Sequence, residues 1–225
     1  MRKIGDCTPT RQETGLPDAG FVFCCFNNNY KIPAPVFDVW MRLLRAVNGS
    51  VLWLLVDNAT AQNNLRQEAA ARGVDPARLV FGAQLSLEEH LARHRLADLF
   101  LDTLPYNAHT TASDALWAGL PLVVCRGETF AGRVAASLLH AIGLSELVTG
   151  SLDEYESLAL QLAMDASRLQ SIRRKLAQNR LSYPLFDTDR FRRHIEAAYL
   201  TAWEIWQRGE SPRSFKVEAM RNSTS

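Results

Sequence analysis

The sequence predicts an α/β protein built on a doubly wound parallel sheet, with further helices at its carboxyl end. Three observations carry this. Five short apolar runs begin about every 20 to 30 residues as far as position 124. None of them alternates polar with apolar residues, as strands covered on both faces require. Helix-period segments separate the runs, and beyond Gly150 only helical segments follow.

The first run is FVFCCF (21–26). A helix follows over 35–47, where Pro35 suits the first helical position and Val36, Trp40, Leu43 and Val47 form a stripe. The second run is VLWLLV (51–56) and the third LVF (79–81). SLEEH (86–90) offers a capping box, Ser86 with Glu89, that opens the next helix. The fourth run, LFL (99–101), leads into a loop and then a helix that stops at Gly119 and Pro121 before LVV (122–124). FAGRVAASLLHAIG (130–143) reads as an amphipathic helix ending at a glycine. Ser151 with Glu154 opens a helix over 151–165, and segments 167–181 and 188–208 continue as helices. The last places Phe191, Ile195, Tyr199, Ala202 and Trp206 on one face, and the polar tail 209–225 reads as frayed.

With 225 residues, 47% hydrophobic and 22% charged, the chain can bury one good core with a helical appendage. Its net charge of +1 gives no field that argues for nucleic acid or an anionic membrane. No apolar run approaches the roughly 20 residues of a membrane helix, and residues 1–20 lack the apolar stretch of a secretory signal. Cys7, Cys24, Cys25 and Cys125 show no metal-ligand spacing, and Cys24 and Cys25 fall inside an apolar run. These features predict a reduced, cytoplasmic protein.

In a doubly wound sheet a ligand lies beyond the carboxyl ends of the strands, where strand order reverses. With the order 3-2-1-4-5 that point falls between the first and fourth strands. The loops there are NNNYK (27–31) and DTLPYNAHTT (102–111), both polar and long for such turns. The second runs into a helix starting at Thr110 or Thr111, whose free N–H groups and partial positive charge suit a phosphate. The Thr hydroxyls and the His109 ring add donors, and Lys31 brings a full charge from the facing loop. Asp114, one turn in, suits a ribose hydroxyl. His90 and Arg93 share a helix face and suit a flat base held by stacking and hydrogen bonds.

Each of these has a plainer reading. Thr111 and Asp114 match an ordinary capping box that uses both side chains internally. His90 and Arg93 match a solvated helix face, and Lys31 is one surface lysine among many. Glu128 and Arg133 match a structural pair across a helix start. The chain has no Walker motif, no GxGxxG and no G-x-S-x-G, which removes the main support for P-loop, dinucleotide-dehydrogenase and serine-hydrolase readings.

FCCFNNNYKI, VLWLLVDNATAQNNL, the block from RLVFGAQLSLEEH through LADLFLDTLPYNAHTTASDALWAGLPLVV, and GETFAGRVAASLL closely resemble the protein O-GlcNAc transferase family, which includes the SPINDLY-like proteins. The resemblance is to the carboxyl-terminal lobe of the catalytic region and runs from about Phe21 to Arg208. It implies one Rossmann-like lobe of the two-lobed glycosyltransferase B arrangement, usually preceded by tetratricopeptide repeats. It also implies transfer of N-acetylglucosamine from UDP-GlcNAc to protein Ser or Thr hydroxyls, with inversion, no cofactor and no metal. By position, Lys31 would contact the diphosphate and aid leaving-group departure. His109, Thr110 and Thr111 would receive the phosphates, Asp114 the ribose, and His90 and Arg93 the uracil side, with Leu85 beside them. The family's Gln before the YK motif is Asn28 here, a shorter amide. A lysine of some members is Leu87, and the usual NGHTT carries Ala108 in place of glycine.

On this resemblance, residues 1–20 read as a linker or truncated inter-lobe segment, 21–150 as the UDP-sugar-binding lobe, 151–208 as a helical segment and 209–225 as a tail. The implied partners are UDP or a UDP-sugar, a complementary amino-terminal lobe and an acceptor protein, with no nucleic acid and no membrane. Trp206 and its neighbours are expected to rest exposed without that lobe. Two other readings stand beside this one. One is a GDP-fucose-using or sugar-nucleotide epimerase relative, against which His109 before the Thr pair argues. The other is a non-catalytic nucleotide-binding scaffold.

Overall fold

The computed structural model describes residues 2–55 and 58–218. Six parallel strands form the sheet: β1 (Val22–Cys25), β2 (Val51–Leu55), β3 (Leu79–Gly82), β4 (Leu99–Leu101), β5 (Leu122–Cys125) and β6 (Val148–Thr149). Their order is β3-β2-β1-β4-β5-β6, so the reversal falls between β1 and β4 as the sequence predicts. Phe23 registers with Leu99 and Cys24 with Phe100 across that boundary. All of β1, β4 and β5 is buried, which accounts for runs without alternation. The sixth strand is not foreseen. It is two residues long, too short to give an apolar run, and Thr149 reaches back to donate to Val124 O at 3.0 Å. Val56, the end of the second apolar run, lies outside the described residues.

The crossover helices are α1 (Ala34–Ala46), α2 (Ala59–Ala71), α3 (Leu87–Arg93), α4 (Thr110–Ala118) and α5 (Val134–Ala141). Helix α1 buries seven side chains, Val36, Trp40 and Leu43 among them, against the sheet. Its Trp40 donates from Nε1 to the Tyr155 hydroxyl at 3.1 Å. The Ser86–Glu89 capping box of α3 is formed in both directions. At α4 the left-handed turn that ends the helix needs Gly119, with φ +88°, and Leu120 N closes it onto Ala115 O at 2.8 Å. Helix α5 is shorter than the 130–143 the sequence suggests, because residues 126–133 form a turn that leaves Phe130 exposed.

Three helices follow the sheet: α6 (Leu152–Met164), α7 (Ala166–Asn179) and α8 (Thr188–Gln207). Ser151 caps α6 by accepting from Glu154 N at 3.2 Å, but the Glu154 carboxylate accepts from Gly150 N rather than completing the box. Helix α8 buries only Ile205. Phe191, Tyr199 and Trp206 of its apolar stripe are 66%, 70% and 67% exposed. Residues 2–8 lie across α3 and α4: Gly5 N donates to Glu88 O at 3.0 Å and Trp117 Nε1 to Arg2 O at 2.9 Å. Residues 209–218 are exposed and without regular structure. The remainder of the tail, 219–225, lies outside the described residues.

Candidate functional site

The loops that leave β1 and β4 meet at the carboxyl edge of the sheet. Asn27, one residue past Phe26, donates from Nδ2 to Asp102 Oδ1 at 3.2 Å and to Thr103 Oγ1 at 2.8 Å. Lys31 closes a short 3-10 turn (Asn29–Lys31) and reaches across, its ammonium 3.2 Å from Asn107 O and 3.7 Å from the centroid of the Tyr106 ring. These contacts remove the reading of Lys31 as one surface lysine among many. Its charge is held against the loop that follows the fourth strand.

Helix α4 begins at Thr110 with His109 as its N-cap, and no side chain caps it. Ser113 N is the first amide to find an intrahelical acceptor, His109 O at 3.1 Å. The N–H groups of Thr110, Thr111 and Ala112 are therefore left for an anion, with the positive end of the helix behind them. His109 Nε2 lies 3.3 Å from Ala131 O, and since a carbonyl only accepts, that nitrogen carries the hydrogen in the neutral ring. The capping-box alternative is not realised. The Thr111 hydroxyl donates to Asn27 Oδ1, and the buried Asp114 carboxylate pairs with Arg2. Burial raises the Asp114 pKa while Arg2 pulls it down, burial being the larger effect.

The base side departs from both sequence expectations. Arg93 is neither solvated nor free to stack: it is 1% exposed, donates to Ala83 O at 2.6 Å and lies 4.5 Å over the Phe26 ring. The burying groups come from strands that helix periodicity does not see. Gly82 permits this packing, since a Cβ there would stand 2.9 Å from Trp53 Nε1. Burial lowers the Arg93 pKa to about 10, which leaves it protonated at neutral pH. Its second nitrogen contacts His90 Nδ1, and His90, half buried, packs edge-on against Phe26 and His94. Burial, then the Arg93 charge, lowers His90 to about 4, so the ring is neutral. His90, Arg93 and Thr111 line a cavity of about 270 Å³ with Phe26, Leu55, Gln84, Leu85 and Leu87. The cavity thus joins the base-side residues to the first turn of α4. Arg93 acts as the platform under His90, not as one leaf of a sandwich.

Asn28 is exposed and caps nothing, contributing its carbonyl to Lys31 N at 3.0 Å. Leu85 and Leu87 are exposed at the cavity rim. Glu128 and Arg133 are both exposed, and among the described residues no ion pair joins them. Four residues that sequence reasoning passed over tie the two loops together: Asn27, Asp102, Thr103 and Asn107, all buried. The signal available for Asp102 was its place directly after a strand, at the edge where ligands bind. Burial raises its pKa to about 7, against bonds from Ala108 N, Thr103 N and Asn27.

The family profile described as Glycosyl transferase family 41 matches residues 5–195. A probable UDP-N-acetylglucosamine–peptide N-acetylglucosaminyltransferase SEC of Arabidopsis thaliana is 40% identical over 210 residues, covering 93% of this chain and 22% of that protein. The corresponding transferase of Caenorhabditis elegans is 40% identical over 200 residues, covering 89% of this chain and 17% of its own length. A solved mutant of the Thermobaculum terrenum O-GlcNAc transferase superposes with a TM-score of 0.80 at 34% identity, over 84% of this chain and 37% of the other. The chain therefore spans about a fifth of the length of these curated relatives. The profile match over residues 5–195 and the identity of these relatives, with which the sheet order agrees, make the chain a member of glycosyl transferase family 41.

Proposed function

We propose that this chain is the donor-binding lobe of a protein O-GlcNAc transferase, holding UDP-GlcNAc as donor substrate and supplying half of an active site. The observation that carries the reading is the Lys31 ammonium, fixed over Tyr106 and Asn107 O on the loop that leads into the uncapped first turn of α4. The activities for which its relatives are named support the donor and the acceptor class. In this reading the diphosphate sits on the N–H groups of Thr110 to Ala112 with Lys31 opposite, and the uracil enters the cavity beside His90 and Leu85. Asp114 takes the ribose hydroxyls after exchanging its Arg2 partner.

Transfer breaks the bond from the anomeric carbon to the diphosphate, and negative charge grows on the departing UDP. Donors already fixed around that charge stabilise the transition state more than the ground state. One such donor in a water-excluded site contributes roughly 2.7–4 kcal/mol. Lys31 is the residue assigned to the leaving group. The charge of the diphosphate is met by an ammonium and a helix terminus, so the reading calls for no metal and no cofactor.

The acceptor Ser or Thr and the group that takes its proton belong to a complementary lobe, which the exposed apolar face of α8 is suited to meet. A cytoplasmic setting belongs to the same reading, supported by four unbridged cysteines. Among the described residues no helix is long and apolar enough to cross a membrane. The test is reconstitution. Joined to the amino-terminal lobe of a relative, the chain should transfer labelled N-acetylglucosamine to a protein acceptor, and Lys31→Ala should abolish the transfer. Transfer unaffected by the substitution would overturn the assignment.

A further inference from the structure

The site contains a buried network that does not itself face the crevice. Asp102 Oδ1 accepts from Thr103 N at 2.7 Å, Ala108 N at 2.6 Å and Asn27 Nδ2 at 3.2 Å. Two backbone N–H groups make Oδ1 an acceptor, so it dictates which way the Asn27 amide faces. The amide nitrogen turns to Asp102 and Thr103, and the amide oxygen is left towards Thr111, whose hydroxyl donates to it. That hydroxyl has one hydrogen. While it is given to Asn27 it cannot be given to a phosphate.

We propose, resting on the donor-site reading above, that Asp102 and Asn27 are positioning residues which hold the first turn of α4 through the Thr111 hydroxyl. The anion is then bound by the backbone N–H groups of that turn rather than by this side chain. The same carboxylate holds Ala108 N, the residue between the carbonyl that Lys31 contacts and the N-cap His109. One buried group thereby sets both halves of the diphosphate site, the ammonium's acceptor and the helix terminus. Two residues 75 apart in the sequence act as one device. Preorganisation of this kind lowers the ordering cost that binding would otherwise meet.

The test is a double-mutant cycle on UDP affinity, by titration calorimetry of the wild type, Asn27→Ala, Thr111→Val and the pair. Each single change should weaken UDP about tenfold, and the pair should be little worse than either alone. If Thr111 instead donates directly to phosphate, Asn27→Ala frees its hydroxyl. Affinity would then stay unchanged or rise, and the losses in the pair would multiply; either result overturns the proposal. Thr111→Val, similar in shape and half buried, breaks the same bond should Asn27→Ala fail to fold. Amide hydrogen exchange on the ligand-free chain gives a second readout. Both single variants should speed exchange over 108–112 and leave the central strands β1 and β4 unchanged. A uniform acceleration marks general destabilisation and contradicts positioning. A wild type that is folded but does not bind UDP overturns the donor-site reading itself. That result is distinct from one in which the wild type binds and the variants bind equally well.

Discussion

Arg2 and Asp114 form an ion pair that joins the N-terminal segment to the first turns of α4. The Asp114 side chain is 6% exposed and that of Arg2 44%, so the pair has one buried and one exposed member. The carboxylate assigned to the ribose is thus already occupied by the chain itself.

Removing the guanidinium should therefore favour the nucleotide. Pairs with an exposed partner contribute up to about 1 kcal/mol, so Arg2→Ala should tighten UDP binding by up to about fivefold. Titration at low salt checks this, since screening weakens the competition as ionic strength rises. Weaker binding in Arg2→Ala would mean that the segment helps to form the site.

The apolar face of α8 predicts self-association of the chain on its own. Trp203 and Trp206 stack at 4.7 Å with neither ring buried, and Tyr199 and Phe191 continue the stripe. Concentrated protein should form dimers or larger species and bind an apolar dye. Tyr199→Arg with Trp206→Arg should abolish both while leaving the melting temperature nearly unchanged, as surface substitutions usually do. A monodisperse wild type with no dye binding would contradict this.

Acid should destabilise the fold before the ordinary carboxylates are titrated. Burial holds His94 at about 3 and His90 at about 4, whereas in the unfolded chain both take up protons from about 6.5 downward. Between those values the unfolded state binds more protons, so stability falls as pH falls. Asp102, raised to about 7 by burial, has the opposite sign over roughly the same window, because the unfolded carboxylate there has already lost its proton. Two histidines outweigh one carboxyl, and the melting temperature should drop from pH 7 to pH 5. His94→Gln, which removes the more deeply buried of the two histidines, should flatten that slope. A melting temperature constant over the interval would contradict the burial argument.

Much of this architecture is legible in the sequence because a strand covered on both faces has only one way to be written. FVFCCF and LFL are such strands, and the common order 3-2-1-4-5 puts them side by side at the reversal point, which singles out the two loops that carry Lys31 and His109-Thr110-Thr111. Helix α2 was harder: it buries only Ala69, so its polar surface gives no stripe to read. Arg93 was misread for a related reason. Glu88 and Glu89 of the same helix are exposed, and what buries Arg93 is Phe26 and Trp53, contributed by chain more than 30 residues away. Asn27 and Asp102 looked like ordinary polar residues at strand ends. Their role exists only once β1 and β4 lie side by side.

The central claim is that this crevice binds a uridine diphosphate through Lys31. Calorimetric titration of the wild type and Lys31→Ala with UDP, and with GDP as the control, tests it most directly. The account predicts UDP binding in preference to GDP, weakened about tenfold or more by loss of the charged donor. Equal binding of the two nucleotides, or a flat titration with both on demonstrably folded protein, would contradict it.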